Sequence, residues 1–141
     1  QEVIHLASKR IEFNVRVNEG VRTKERQAQL VASGASRTMK SRHLTGHAAD
    51  LLPVVDIDKD GKVELEELYN WQLSFQIATA MKSASIDLKT PLVWGGVWDR
   101  LLSQINDPEL ASADYVLRMR KKNVKPFVDG PHFQLNWKEY P

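Results

Sequence analysis

The chain has no cysteine among its 141 residues, which excludes disulfides, thiolate metal sites and cysteine nucleophiles together. Any metal it binds must be held by histidine, aspartate or glutamate. Long apolar runs are missing too. No stretch approaches the ~20 residues that cross a bilayer, so no membrane insertion is expected. Neither sign of charge dominates: the formal net charge is +2, too small to argue by itself for nucleic acid. There is no repeat and no low-complexity segment. The first residue is Gln1 and not Met, inside a helical pattern. An N-terminal segment is therefore expected to be missing, and targeting cannot be read.

Hydrophobic residues make up 42% and charged residues 27% of the chain, the balance of a globular protein long enough to bury a core. One domain over 1–141 is expected. Glu2 to Arg10 carries Val3, Ile4 and Leu6 on one side and reads as the end of a helix. Phe13 to Val17 alternates apolar and polar residues like a half-buried strand, which Asn18-Glu19-Gly20 should break. Thr23 is the expected N-cap of a helix that Gly34 stops near Ser33. A basic loop from Ser36 to Arg42 leads to a strand over Ala48 to Val55, where Pro53 excludes a helix. Leu68, Trp71, Phe75, Ala78 and Met81 predict one amphipathic helix from Leu65 to about Ser83. Val93-Trp94-Gly95-Gly96 reads as a short strand ending in a glycine turn. Asp107-Pro108-Glu109 opens a helix ending near Asn123, and Phe133 to Trp137 forms a last strand. The class is α+β.

Two stretches carry chemistry. Ser41-Arg42-His43-Leu44-Thr45-Gly46-His47-Ala48-Ala49-Asp50 sets two imidazoles and a carboxylate around a glycine. Asp129-Gly130-Pro131-His132 adds a third imidazole and a second carboxylate. His43 and Asp50 stand an odd number of positions apart, so one continuous strand would point them to opposite faces. Gly46 lets a loop deliver His43 and the strand deliver Asp50 to one point. With His132 they would form a zinc site that keeps a position open for water, as catalytic sites do. A competing set pairs His43 with His47 at the i, i+4 spacing of a zincin helix. Leu44 and Gly46 supply neither the glutamate nor the helix which that motif needs. His47 is then exposed or behind the ligands, and His5 is structural. Spacing alone leaves a metal site and ordinary histidines equally open.

The order Ser41-x-His43-x-x-Gly46-x-Ala48-x-Asp50, then Asp129-x-x-His132, resembles the signature of a zinc peptidase family. That family comprises D-alanyl-D-alanine carboxypeptidases and dipeptidases of the vancomycin-resistance type and the L-alanyl-D-glutamate endopeptidases of bacteriophages. Glu19-Gly20-Val21-Arg22-Thr23 and Trp94-Gly95-Gly96 also resemble segments of the phage branch. The resemblance spans Phe13 to Leu135 and implies a hedgehog-like fold, a small antiparallel sheet with helices packed against it. It implies His43, Asp50 and His132 as zinc ligands and Asp129 as the catalytic carboxylate. Arg22 would face a substrate carboxylate or the developing oxyanion, and Ser41 would offer a substrate hydrogen bond.

The implied substrate is the stem peptide of peptidoglycan, cut between L-alanine and D-glutamate by a lysis enzyme. Such an enzyme acts on the bacterial cell wall after synthesis in the host cytoplasm and release to the periplasm. A monomer is expected. The runner-up is a D-alanyl-D-alanine carboxypeptidase. A third reading is a non-catalytic, zinc-binding hedgehog-like interaction domain, against which Asp129 speaks, since a structural site needs no spare carboxylate. Arg118, Arg120, Lys121 and Lys122 lack aromatic stacking partners for nucleic acid and read as a solvated face or a contact with anionic cell wall. Residues 99–128 exceed what compact members of the family need, and no function is placed on them.

The acidic stretch Asp56 to Glu67 matches a calcium loop of the EF-hand type. Asp56, Asp58, Asp60, the Lys62 carbonyl, Glu64 and Glu67 occupy the ligand positions, with Gly61 at the turn. The helix after it fits, but the element before it reads as a strand where an EF-hand has a helix. Calcium bound there would order the strand that carries Asp50.

Overall fold

Thr23, Asn70 and Asp107 each accept a hydrogen bond from the backbone N–H three residues on, and each starts a helix. In the computed structural model, which describes residues 1–141, the helices are α1 (Glu2–Ser8), α2 (Lys24–Ala32), α3 (Leu65–Leu68), α4 (Trp71–Asp87) and α5 (Pro108–Lys121). The strands are β1 (Asn14–Glu19), β2 (Ala48–Val54), β3 (Leu92–Trp94) and β4 (His132–Leu135). They form one antiparallel sheet in the order β1-β2-β4-β3. The expected α+β class, a small antiparallel sheet with helices against it, is the one observed.

Three local expectations need correction. The helix expected from Leu65 to about Ser83 is two helices. Asn70 Oδ1 accepts from the Leu73 N–H at 3.0 Å and restarts the chain as α4, which continues to Asp87. The apolar spacing runs across this break unchanged, so periodicity conceals it. Nor does Asn18-Glu19-Gly20 end β1 at Val17. The strand reaches Glu19 through an irregularity in register between Val17 and Glu19, as a bulge allows. The last strand stops at Leu135, and Asn136 turns the chain by accepting from the Tyr140 N–H at 2.9 Å.

Side chains alternate across the sheet. Leu51, Leu92, Trp94 and Phe133 point to one face and join Ile77, Ala78, Met81 and Ala84 of α4 in the core. Leu102, Ile105 and Tyr115 extend it. On the opposite face the register aligns three polar residues in a row. Glu19 pairs with Asp50 between β1 and β2, and Asp50 pairs with His132 between β2 and β4. Directly opposed residues of antiparallel strands share a face. A slip of one residue would turn Asp50 and His132 into the core.

Candidate metal centre and cleft

Gly46, left-handed at φ 74°, ends a short 3-10 turn over Arg42–Thr45 and lets the chain reverse from His43 into β2. Ser41 starts that turn, its Oγ accepting from the His43 N–H at 3.3 Å. His43 is buried, with Nδ1 2.8 Å from the Gly20 carbonyl oxygen. A carbonyl only accepts, so Nδ1 carries the proton and Nε2 presents a lone pair. His132 Nε2 lies 2.9 Å from Gln134 Oε1, which likewise leaves its Nδ1 as the lone pair facing inward. His43 Nε2 lies 3.2 Å from His132 Nδ1 and 3.2 Å from Asp50 Oδ1, and His132 Nδ1 lies 3.3 Å from Asp50 Oδ1.

Three lone pairs facing one another are the arrangement that a bound cation satisfies. Asp50 Oδ1 is buried and has no hydrogen-bond partner. A tetrahedron with bonds of about 2.0–2.1 Å has edges of about 3.3–3.4 Å, so the spacing of His43, Asp50 and His132 fits a small tetrahedral ion. Burial would raise the Asp50 carboxyl, but the His132 and His43 imidazoles beside it outweigh that and hold the group well below the usual range.

Asp129 lies close enough to feel the charges of Asp50, His132 and His43, and it stands outside the triad. Burial first, then the charge of Asp50, pushes its carboxyl above the ordinary aspartate range, which suits a group that must hold a proton. The turn that carries it closes when the Asp129 carbonyl accepts from the His132 N–H at 3.1 Å. Gly95 clamps both ends: its carbonyl accepts from the Asp129 N–H at 2.8 Å, and its N–H donates to the His132 carbonyl at 2.8 Å. Trp94 Nε1 donates to the Gly130 carbonyl between them at 2.7 Å. Trp94 and Gly95 thus hold the second chemical stretch in shape.

The structure places Arg22 beside the row with most of its donors engaged. Its Nε and one terminal nitrogen donate to the two oxygens of Glu19 at 2.9 and 2.7 Å. The other terminal nitrogen donates to Gln27 Oε1 at 2.6 Å and reaches Ser41 Oγ at 3.5 Å. His47 Nδ1 pairs with Thr45 Oγ1 at 2.6 Å, away from the triad, and His5 is exposed on α1. Three surrounding residues were missed by the sequence reading. Gln134 was within reach of it, since two positions along a strand share a face. Gln27 and Trp98 were not: Gln27 meets Arg22 only through the fold, as does Trp98, whose ring lies 5.0 Å from that of His132. The site opens into a cleft of about 750 Å³ whose lining includes Arg22, Ser41, Trp98, Phe127 and Asp129.

The acidic loop adopts a closed turn. Asp56 Oδ2 accepts from the Gly61 N–H at 2.8 Å, and Asp60 Oδ1 from the Lys62 N–H at 2.9 Å. Glu67 Oε1 accepts from the Ile57 N–H at 3.0 Å and Oε2 from the Glu64 N–H at 3.0 Å. Gly61 has φ 89°, the left-handed conformation that the turn requires and glycine supplies. Carboxylate oxygens of Asp56, Asp58 and Glu67 converge, as do those of Asp58, Asp60 and Glu64. The loop enters from β2, as expected, and leaves into α3.

The chain is similar to known proteins. A family model described as phage L-alanyl-D-glutamate peptidase matches residues 1–136. An L-alanyl-D-glutamate peptidase of Listeria phage A118 is 31% identical over 128 residues, which are 91% of this chain and 32% of that protein. The chain thus spans about a third of the length of that relative. An L-alanyl-D-glutamate peptidase of Escherichia phage T5 is 26% identical over 138 residues, 96% of this chain and 85% of that protein. A crystal structure of the L-Ala D-Glu endopeptidase ChiX of Serratia marcescens superposes with a TM-score of 0.67 at 31% identity, covering 99% of this chain and 80% of that one.

Proposed function

The chain belongs to the phage L-alanyl-D-glutamate peptidase family, and from that premise we propose that it is a zinc endopeptidase cutting the L-Ala–D-Glu bond of the peptidoglycan stem peptide. The observation that carries this reading is the meeting of three ligand atoms, with both outer imidazole nitrogens tied to acceptors, beside a half-buried Asp129. His43, Asp50 and His132 would hold the ion. Held there, zinc would supply Lewis acidity for the scissile carbonyl and would lower the pKa of water to about 7.

The chain's own groups do the rest. Asp129 takes the proton of the attacking water and passes it to the leaving amine. Gly20 and Gln134 fix the two imidazole tautomers and orientations. Ser41 accepts from two neighbours, which leaves its hydroxyl proton for a substrate oxygen. Arg22 holds Glu19 and Ser41 in line with the row and turns its one uncommitted N–H, 3.8 Å from Asp50 Oδ2, to the substrate side.

Calcium is the second ion in this reading, held by Asp56, Asp58, Asp60, the Lys62 carbonyl, Glu64 and Glu67. Support comes from the converging carboxylates and from the continuity of the loop with the strand bearing Asp50. The enzyme would act as a monomeric endolysin on the cell wall, made in the host cytoplasm and released to the periplasm at lysis.

Mass spectrometry of purified peptidoglycan after digestion tests the bond. New N-terminal D-glutamate and free L-alanine ends are expected. Release of D-alanine alone would replace this reading with the carboxypeptidase. Elemental analysis of the purified protein, with His132→Ala beside it, tests the ion: zinc in the wild type and none in the variant.

A further inference from the structure

Residues 123–128 return from α5 along the cleft. Trp98 Nε1 donates to the Phe127 carbonyl at 2.9 Å, and the Trp98 and Phe127 rings stack at 6.4 Å and 18°. The guanidinium of Arg37, from the loop after α2, lies over Phe127 at 4.9 Å and donates to the Lys125 carbonyl at 3.3 Å. His132, Trp98, Phe127 and Arg37 therefore form one continuous run of contacts from the ligand row to the outer wall, with successive separations of 5.0, 6.4 and 4.9 Å. The stretch on which the sequence placed no function builds a wall of the cleft.

The charges on that wall are uncompensated. Arg37, Lys40 and Lys125 line the cleft and take part in none of the chain's ion pairs. Arg22, by contrast, is matched by Glu19. With zinc in place the charges of Asp50 and Asp129 at the floor are balanced, so these outer cations stay free for an anionic group of the substrate. One guanidinium contact to a backbone oxygen leaves most of the donors of Arg37 free, while the Phe127 ring holds the group in place. Such a planar fork is suited to a carboxylate.

We propose that Arg37, supported by Phe127 and Lys125, is an outer subsite for a carboxylate of the substrate peptide beyond the scissile bond. This rests on the endopeptidase reading. In that reading the acyl side is alanine joined to glycan, so the free carboxylates lie on the glutamyl side. An extended chain advances about 3.3–3.6 Å per residue. Arg37 stands three side-chain contacts out from His132, so the carboxylate assigned to it is one beyond the glutamate, such as the C-terminal carboxylate of a tetrapeptide.

The test uses two tetrapeptides that begin L-Ala-D-Glu and differ only at the C-terminus, one a free carboxylate and one a carboxamide. The zinc-loaded wild type should prefer the carboxylate by about tenfold in kcat/KM, expressed in KM, the size of one charged hydrogen bond. Arg37→Gln should abolish that preference with kcat unchanged, and Phe127→Leu should weaken it. Arg37 is exposed, so the variant should fold normally. No preference in the wild type, or an undiminished preference in Arg37→Gln, overturns the subsite and leaves the endopeptidase intact. If the wild type cuts neither peptide while intact peptidoglycan is also untouched, the endopeptidase reading fails and the subsite falls with it.

Discussion

The carbonyl of Gly95 accepts the backbone N–H of Asp129 at 2.8 Å, and the two main chains lie so close that a Cβ on Gly95 would run into the Asp129 carbonyl. Trp94-Gly95 is thus the support for the turn bearing Asp129 and His132. Gly95→Ala should force that turn away. An overpacking cost of about 1–3 kcal/mol should appear in thermal denaturation, together with weakened metal binding. A variant with wild-type melting and wild-type activity would show that the clamp does not position the site.

Gln134 orients His132 through a 2.9 Å contact and touches no other part of the triad by hydrogen bond. Gln134→Leu keeps the bulk and removes the acceptor. Zinc affinity, measured by competition with a chelator, should fall roughly 10–100-fold, the usual effect of losing a group behind a metal ligand. Unchanged affinity would mean that packing alone holds the imidazole.

Asp129→Asn preserves shape and removes the proton acceptor. We expect full zinc content, an unchanged fold and a rate loss of about a hundredfold or more. Turnover close to the wild type would remove Asp129 from the reaction.

The acidic loop gives a separate expectation. Calcium at a hundredfold excess over its Kd should stabilise the zinc-loaded protein by about 2.7 kcal/mol, visible as a higher melting temperature. Asp58→Ala, at an exposed position shared by both converging carboxylate groups, should abolish the shift. An equal shift in the variant would place the calcium away from Asp58, and none in the wild type would show that the loop is an acidic cap on α3 without an ion.

Local signals were legible in the residues themselves. Thr23 and Asp107 cap their helices because a short oxygen-bearing side chain reaches the N–H three residues on. Pro53 sits in β2 and not in a helix. The EF-hand pattern from Asp56 to Glu67 closes around Gly61. The break at Asn70 carried a signal of the same kind, but the apolar spacing on either side outweighed it.

What no spacing could decide was which histidine meets which carboxylate. His43 with His47 and His43 with His132 stood as rivals in the bare sequence, and family resemblance favoured the second. The tertiary structure brings that second set together, because the β2–β4 register puts Asp50 opposite His132 while Gly46 turns His43 toward both. Cross-strand pairing joins residues far apart in the chain, so its register is set by which faces must be buried. The same holds for Arg22. The family resemblance marked it as facing the substrate, and only the folded chain sets Glu19 and Gln27 around its guanidinium. The wall built by Phe127 and Lys125 likewise exists only once α5 has packed and returned the chain to Trp98.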